Sequence, residues 1–161
     1  MISGDSSPAA GKKSAFLRML QDFSQYFERI DVLCPFDSQA KTCTLFENVT
    51  FHPSPLPKLM HPWFVLDQGN ILYRQFGHEL MTVHEYAPFY TGIGAYLLHQ
   101  KTKIPFVSEF HHIEGYPKAL NVKEFIYRGL AKSYISLVKN KAKGFRVVNH
   151  GDTPQWLRRR G

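Results

Sequence analysis

Histidines and carboxylates gather in two short stretches of this chain. The first stretch is His84 with Glu85, followed by the aromatic segment 86–90, and the second holds Glu109, His111, His112 and Glu114. Imidazole and carboxylate groups transfer protons, hydrogen-bond to hydroxyl groups and ligate metals. Their recurrence at two places makes these residues the first candidates for a functional site.

Both stretches come directly after short apolar runs, which predict strands at 80–84 and 105–110. Apolar residues at helical spacing between them predict a helix at 92–101. A strand, a helix and a second strand in succession indicate a parallel pair with a crossover. Because parallel strands end at the same edge of a sheet, we expect the two polar stretches to meet there.

The same alternation runs through the whole chain and predicts an α/β fold. We expect a Rossmann-like, doubly wound, mostly parallel sheet with helices on both faces, formed as a single domain by residues 1–161. Further strands are predicted at 1–3, 30–34, 49–52 and 145–148, and further helices at 12–27, 63–76, 122–142 and 153–160. Thr153 is the expected N-cap of the last helix, and Gly161 stands where that helix would end.

Positive charge is concentrated in the second part of the chain. Residues 1–100 hold 7 Lys and Arg against 9 Asp and Glu, whereas residues 101–161 hold 13 against 4, for a net charge of +7 overall. This imbalance favours an anionic partner such as nucleic acid, a phosphorylated metabolite or an acidic membrane surface. No apolar run is long enough for a transmembrane helix.

Three hypotheses compete for the polar stretches. The histidines could serve as structural hydrogen-bonding groups, or the stretches could bind a sugar or phosphate, with aromatic residues of 86–90 against a ring. A metal site is the third, although the helical His-x-x-x-His spacing is absent. Its ligands would be drawn from His84, Glu85, Glu109, His111 and His112.

The helix predicted at 122–142 has an apolar face and several lysines. The expected core face is formed by Phe125, Ile126, Leu130, Tyr134, Leu137 and Val138. Most of the basic residues fall off that face; they are Lys123, Arg128, Lys132, Lys139 and Lys143. The alternative to a solvated basic face is a helix that faces an anionic membrane.

Three segments resemble the amino-terminal half of a family 4 (group 1) glycosyltransferase. They are MISGD…GKKSAF, LMTVHEYAPFYTGIGAYLLHQKTKIPFVSEFHHIEGYPKA and FRVVNHGDTPQWLRRRG. The resemblance implies the GT-B fold, in which two Rossmann-like domains face a cleft. In this chain Ala10 precedes Gly11 where the family often has two adjacent glycines, and the first strand is short.

The resemblance also assigns roles to residues. It implies that His111 lies beside the donor sugar as the catalytic histidine, and that Gly11 and Lys12 approach the donor diphosphate. It places the remaining candidates on the acceptor side; they are His84, Glu85, Tyr86, His112, Glu114 and Tyr116. No metal ligand and no cofactor is expected.

The implied reaction transfers a sugar from a nucleotide-sugar to a glycan or lipid-linked acceptor hydroxyl, usually with retention. We expect the parent enzyme to be cytoplasmic, with peripheral attachment to the inner face of a membrane as an option. The second, nucleotide-binding domain would follow Gly161 and is not in this sequence. This half alone is therefore expected to be inactive.

A different class of function remains open. The chain could be a stand-alone basic module that binds nucleic acid or anionic lipid, because its second part carries the excess of positive charge. No motif for reading DNA or RNA is present, so nucleic acid is not the expected partner.

Overall fold

Alternating strands and helices form the structure, a computed structural model that describes residues 1–148 and 152–159. Within these residues the strands are β1 (Ile30–Cys34), β2 (Cys43–Leu45), β3 (Val49–Pro53), β4 (Met81–Glu85), β5 (Phe106–Phe110) and β6 (Gly144–Val147). The α-helices are α1 (Ala15–Phe23), α2 (His61–Phe76), α3 (Tyr90–Thr102), α4 (Val122–Val138) and α5 (Asp152–Arg158). The α/β class predicted from the sequence is confirmed.

The strands form two three-stranded sheets. One has the order β1-β3-β2 and the other β4-β5-β6. The pairs β1–β3, β4–β5 and β5–β6 are parallel, and β2 lies antiparallel to β3. β2 was not predicted, because its three residues carry too short an apolar signal.

Ile2 joins the two sheets. It bridges in parallel to Leu33 of β1 and to Val83 of β4. Its amide donates to the Thr82 carbonyl at 2.8 Å, and the His84 amide donates to its carbonyl at 3.0 Å. The predicted strand at 1–3 is thus reduced to an isolated bridge at the junction of the sheets.

Two hydrophobic clusters cover opposite faces of β1. Successive side chains of a strand point to opposite faces, so Val32 and Leu33 enter different clusters. α1 contributes Phe16 and Leu20 to the cluster around Val32. α2, α3 and α4 pack into the larger cluster, which contains Leu33.

Capping side chains set where two helices begin. The Ser14 side chain accepts from the Leu17 amide at 3.1 Å, so α1 begins at Ala15, three residues later than predicted. α4 begins as predicted, with Asn121 accepting from the Glu124 amide at 2.9 Å, but it ends four residues earlier, at Val138. In α5, Thr153 lies inside the helix and is not its N-cap; Gly161 is outside the described residues.

The predicted core face of α4 is right at two of its six residues and wrong at the other four. Tyr134 and Val138 are buried together with Ala131 and Ile135, but four of the six apolar residues assigned to the core are exposed. Those four are Phe125, Ile126, Leu130 and Leu137. Apolar residues occur on both sides of this helix, so the period alone could not show which side faces the sheet.

Candidate functional site

Three polar side chains form a row across β4, β5 and β6. The strand register pairs His84 with Glu109 and Glu109 with Arg146. Because paired residues of a sheet point to the same face, an imidazole, a carboxylate and a guanidinium lie side by side. His111 follows β5 directly, at the carboxyl end of the strand.

Glu109 is the centre of this row. Arg146 Nη1 donates to Glu109 Oε2 at 2.5 Å. His111 Nε2 lies 3.3 Å and His84 Nε2 3.8 Å from Glu109 Oε1. The carboxylate is buried, whereas the side chains of His111 and Arg146 are half-exposed. The buried acid therefore orients two groups that a ligand can reach.

His84 is largely buried, with 12% of its side chain exposed. Its ring makes edge contacts with the rings of Phe16 at 4.9 Å and His111 at 5.9 Å, measured between centroids. Ser3 Oγ is 3.4 Å from His84 Nδ1. Burial lowers the pKa of His84 below its ordinary value, despite the opposing effect of the Glu109 charge. His84 therefore binds a proton less readily than an exposed imidazole does.

Glu85 does not share this surface. β4 alternates, so the Glu85 side chain is on the opposite face from His84, and only 2% of the residue is exposed. Ser108 Oγ donates to Glu85 Oε1 at 2.9 Å, and the Tyr134 hydroxyl donates to the same oxygen. Burial raises the pKa of Glu85 to about 8, so the carboxyl is protonated at neutral pH.

The loop that follows Ser3 packs against the loop that follows β4. A Cβ added to Gly4 would lie 1.8 Å from the ring of Tyr86, so the ring rests directly on the backbone of Gly4. Burial raises the pKa of Tyr86 to about 12. Tyr86 therefore supports the loop 4–13 more than it faces solvent.

Gly11 and Lys12 lie on the loop 4–13. Gly11 ends the short 3-10 helix Pro8–Ala10 with φ of 73°, a conformation that favours glycine. Both residues are exposed. The loop leads into α1, whose Phe16 contacts His84, so this loop runs into the helix that borders the polar row.

The remaining acceptor-side candidates follow His111 in the loop 112–121. His112 is exposed, and Glu114 and Tyr116 are half-buried. Tyr116 makes an edge contact with Trp156 of α5 at 6.3 Å. Arg128 Nη1 donates to the Gly115 carbonyl at 3.3 Å, which anchors the loop to α4.

Of the five candidate metal ligands, the structure brings His84, Glu109 and His111 together but places Glu85 on the opposite face of the sheet. Among residues 1–148 and 152–159, no three histidine, cysteine or acidic side chains are arranged to hold a metal ion.

Sequence reasoning did not select several members of this surface. Glu109 was recognised as a candidate metal ligand but not as the centre of a row, and Arg146, Ser3 and Phe16 were not selected. Arg146 could have been selected because it lies near the end of a predicted strand, and that strand follows the predicted strand of Glu109 along the chain. The register that places it there is not visible in sequence.

A second polar cluster lies near the opposite, amino end of the strands. Asp31 is buried, and its carboxylate oxygens lie 2.6 Å from Arg29 Nε, 2.7 Å from His52 Nε2 and 2.9 Å from His78 Nε2. Burial alone would raise the pKa of Asp31, but hydrogen bonds from His52, His78 and Arg29 hold it well below its usual range. The cluster borders a cleft of about 610 Å³.

Comparison of the chain with protein-family models and with curated proteins found no match. No helix in the described parts of the chain is both long enough and apolar enough to cross a bilayer.

Proposed function

We propose that this domain is the acceptor-side half of a glycosyltransferase with the GT-B architecture. Such an enzyme transfers a sugar from a nucleotide-sugar donor to an acceptor hydroxyl. The observation that carries the proposal is the row of His84, Glu109 and Arg146 with His111 beside it. This row lies at the carboxyl edge of parallel strands, where α/β domains bind their ligands.

The order of the strands supports the same proposal. When Ile2 is taken as the middle strand, β1 and β3 lie on one side of it and β4, β5 and β6 on the other. The strand order reverses at this point, and such a switch point opens a crevice at the carboxyl edge. Ser3, which follows Ile2, contacts His84 at that edge.

His111 is the residue we place beside the reacting sugar. Its ring is half-exposed, and the buried carboxylate of Glu109 lies 3.3 Å from Nε2. An imidazole whose ring is oriented in this way can hydrogen-bond to a sugar hydroxyl and fix the sugar for transfer. Glu109 then acts as a positioning residue, because its contact is with the imidazole.

Positive groups around the site suit the leaving diphosphate. As the bond to the sugar breaks, negative charge grows on the diphosphate, and groups already in place stabilise it. Arg146 is half-exposed, and Lys12 lies on the loop before α1. The amino end of α1 adds its dipole, although the Ser14 side chain already accepts from one of its amides.

The opposite wall of the crevice would come from a nucleotide-binding domain. The resemblance implies that this second domain holds the nucleotide and contacts the donor sugar. We therefore expect transfer only when both domains are present, with a glycan or lipid-linked molecule as acceptor and the cytoplasm as the place of action.

The test is a transfer assay on the full-length gene product that contains this domain. A panel of nucleotide sugars is offered with glycan and lipid-linked acceptors, and His111→Ala is compared with wild type. We expect kcat to fall by about 100-fold or more, as for loss of a group that acts at the reacting centre. Arg74→Ala, an exposed cation in the last turn of α2, is the matched control.

Two results would overturn the proposal. One is the absence of transfer from every nucleotide sugar, and the other is near-wild-type turnover in His111→Ala. If instead the protein binds DNA with a steep salt dependence and ignores nucleotide sugars, the basic-module hypothesis is favoured.

A further inference from the structure

The outward face of α4 is apolar and, within residues 1–148 and 152–159, exposed. Val122 is 74% exposed, Phe125 63% and Ile126 52%, and Leu130 and Leu137 are exposed as well. Leu120, just before the helix, is 82% exposed. Together these residues make an exposed apolar surface along a helix of 17 residues, about 25 Å long. We call Leu120, Val122, Phe125, Ile126, Leu130 and Leu137 the α4 surface.

No charged residue interrupts this surface. At about 100° per residue, its helical members span an arc of about 140° opposite Ala131 and Ile135, which face the core. The positions that fall between them are small and uncharged: Gly129, Ser133 and Ser136. An ordinary solvated helix face carries charged side chains at such positions.

Cations flank the α4 surface on both sides. On the helical wheel, Arg128, Lys132 and Lys139 lie along one border, and Lys123 lies along the other. The only acidic residue of α4, Glu124, is directed away from the surface, and its carboxylate accepts from the Leu120 amide and the Asn121 side chain. Basic borders around an apolar stripe match the chemistry of an anionic lipid surface.

We propose that the α4 surface binds an anionic membrane, with α4 lying in the plane of the interface. The apolar side chains enter the boundary of the acyl chains, and the lysines remain at the level of the lipid phosphates. A hydrophobic protein partner would not require cations on both borders, and nucleic acid would not require an apolar centre. The combination therefore favours lipid over either.

The position of α4 relates this binding to the candidate site. The loop 112–121 connects His111 to α4, and Arg128 ties Gly115 of that loop to the helix. One end of the loop 112–121 borders the row of His84, Glu109 and Arg146. A membrane bound along α4 would lie at its other end. Binding to the membrane is measured without any transfer assay, so the two proposals can fail separately.

The experiment is co-sedimentation of the chain with vesicles at constant salt. One set contains phosphatidylcholine with phosphatidylglycerol, and the other contains phosphatidylcholine alone. We expect binding to the anionic vesicles and little binding to the neutral ones. Replacing Lys123, Lys132 and Lys139 by Gln should weaken anionic binding by roughly 100-fold, at about a factor of five for each cation.

A control variant of equal charge separates local from overall electrostatics. Lys41→Gln, Lys58→Gln and Arg74→Gln remove three exposed cations far from α4 in sequence. This control should bind anionic vesicles nearly as well as wild type. If both triple variants lose binding equally, the attraction is not specific to α4 and the proposal is wrong.

The apolar part is tested by Phe125→Gln, Ile126→Gln and Leu130→Gln together. These positions are exposed, and glutamine is a good helix former, so the fold should be retained, as checked by circular dichroism. We expect this variant to lose vesicle binding. Unchanged binding overturns the proposal, as does failure of wild type to bind anionic vesicles. A dimer that forms in solution and is lost in this variant, without vesicle binding, would assign the surface to a second copy instead.

Discussion

His84 and Glu85 are consecutive in sequence, yet their side chains lie on opposite faces of the sheet. His84 is on the face that carries Glu109 and Arg146, whereas Glu85 is beneath α3 and α4 with Ser108 and Tyr134. The strand alternation that separates them gives them different chemistry. His84 borders a surface that ligands can reach, and Glu85 is a buried acid.

The buried acid predicts an unusual dependence of stability on pH. The folded-state pKa of Glu85 is raised from 4.5 to about 8, so the folded protein binds this proton more tightly than the unfolded chain. Its contribution to the free energy of unfolding is complete below pH 4.5 and is lost as pH rises through 8. At about 1.4 kcal/mol per pKa unit, the loss amounts to several kcal/mol.

Glu85→Gln removes this titration while keeping the shape of the side chain. Urea unfolding at a series of pH values from 4 to 9 should therefore show the free-energy difference between variant and wild type shifting in favour of the variant as pH rises. Parallel pH profiles for the two proteins would show that Glu85 does not titrate in this way.

Gly92, in the first turn of α3, leaves room for the buried side chains of Glu85 and Tyr134. A Cβ at this position would lie 2.2 Å from the Tyr134 hydroxyl and 2.4 Å from Glu85 Oε2. Gly92→Ala should lower the free energy of unfolding by about 1–3 kcal/mol, the usual cost of overpacking. Thermal or urea unfolding measures the change.

Gly129→Ala is the matched substitution. Gly129 is also in a helix, but an added Cβ there meets nothing within 4 Å. We expect this variant to be more stable than wild type by up to about 1 kcal/mol, because alanine favours the helix. Equal effects of the two substitutions would mean that the space at Gly92 is not restricted.

The ion pairs of Asp31 predict that the folded protein loses stability in acid. Its folded-state pKa is held below the ordinary value of 3.8, so its contribution is present above that pH and is lost as pH falls through the folded value. Asp31→Asn should be less stable than wild type by about 3 kcal/mol at pH 7, as when one partner of a buried ion pair is removed. The difference in the free energy of unfolding between Asp31→Asn and wild type should become smaller as the pH falls below 4.

Asp67→Asn serves as the comparison, since Asp67 is exposed on α2. It should change the free energy of unfolding by no more than about 0.5 kcal/mol. The interpretation of Asp31 fails if both variants lose the same stability at pH 7, or if the deficit of Asp31→Asn persists at low pH.

The charges of Glu109 and Arg146 act on the pKa of His84 in opposite directions. The negative charge of Glu109 raises the pKa of His84, and the positive charge of Arg146 lowers it. Glu109→Gln should therefore lower the pKa of His84, and Arg146→Gln should raise it. Proton NMR of the imidazole gives both values; shifts in the same direction would show that the row is not arranged as described.

Much of this architecture could be predicted from sequence because the apolar runs are clear. The strand at 30–34 was predicted with the bounds it has, and His84 and His111 were expected at one edge of the sheet, where their rings are 5.9 Å apart. Arg146 was not selected because its role depends on strand register, which is a long-range property. α4 was misassigned because its outward residues are as apolar as its buried ones.

The narrow pairing at Ile2 affects how the two sheets can move relative to each other. Within the described residues, the short segment 1–3 makes the backbone pairing between the two sheets, to Leu33 of β1 on one side and to Thr82 and His84 of β4 on the other. By comparison, β1–β3 and β4–β5 each pair over five residues. A twist of one sheet relative to the other would concentrate at this narrow seam. Such a twist would move Phe16, which packs in the cluster on β1, relative to His84 of β4, while Glu109 and Arg146 stay paired on neighbouring strands.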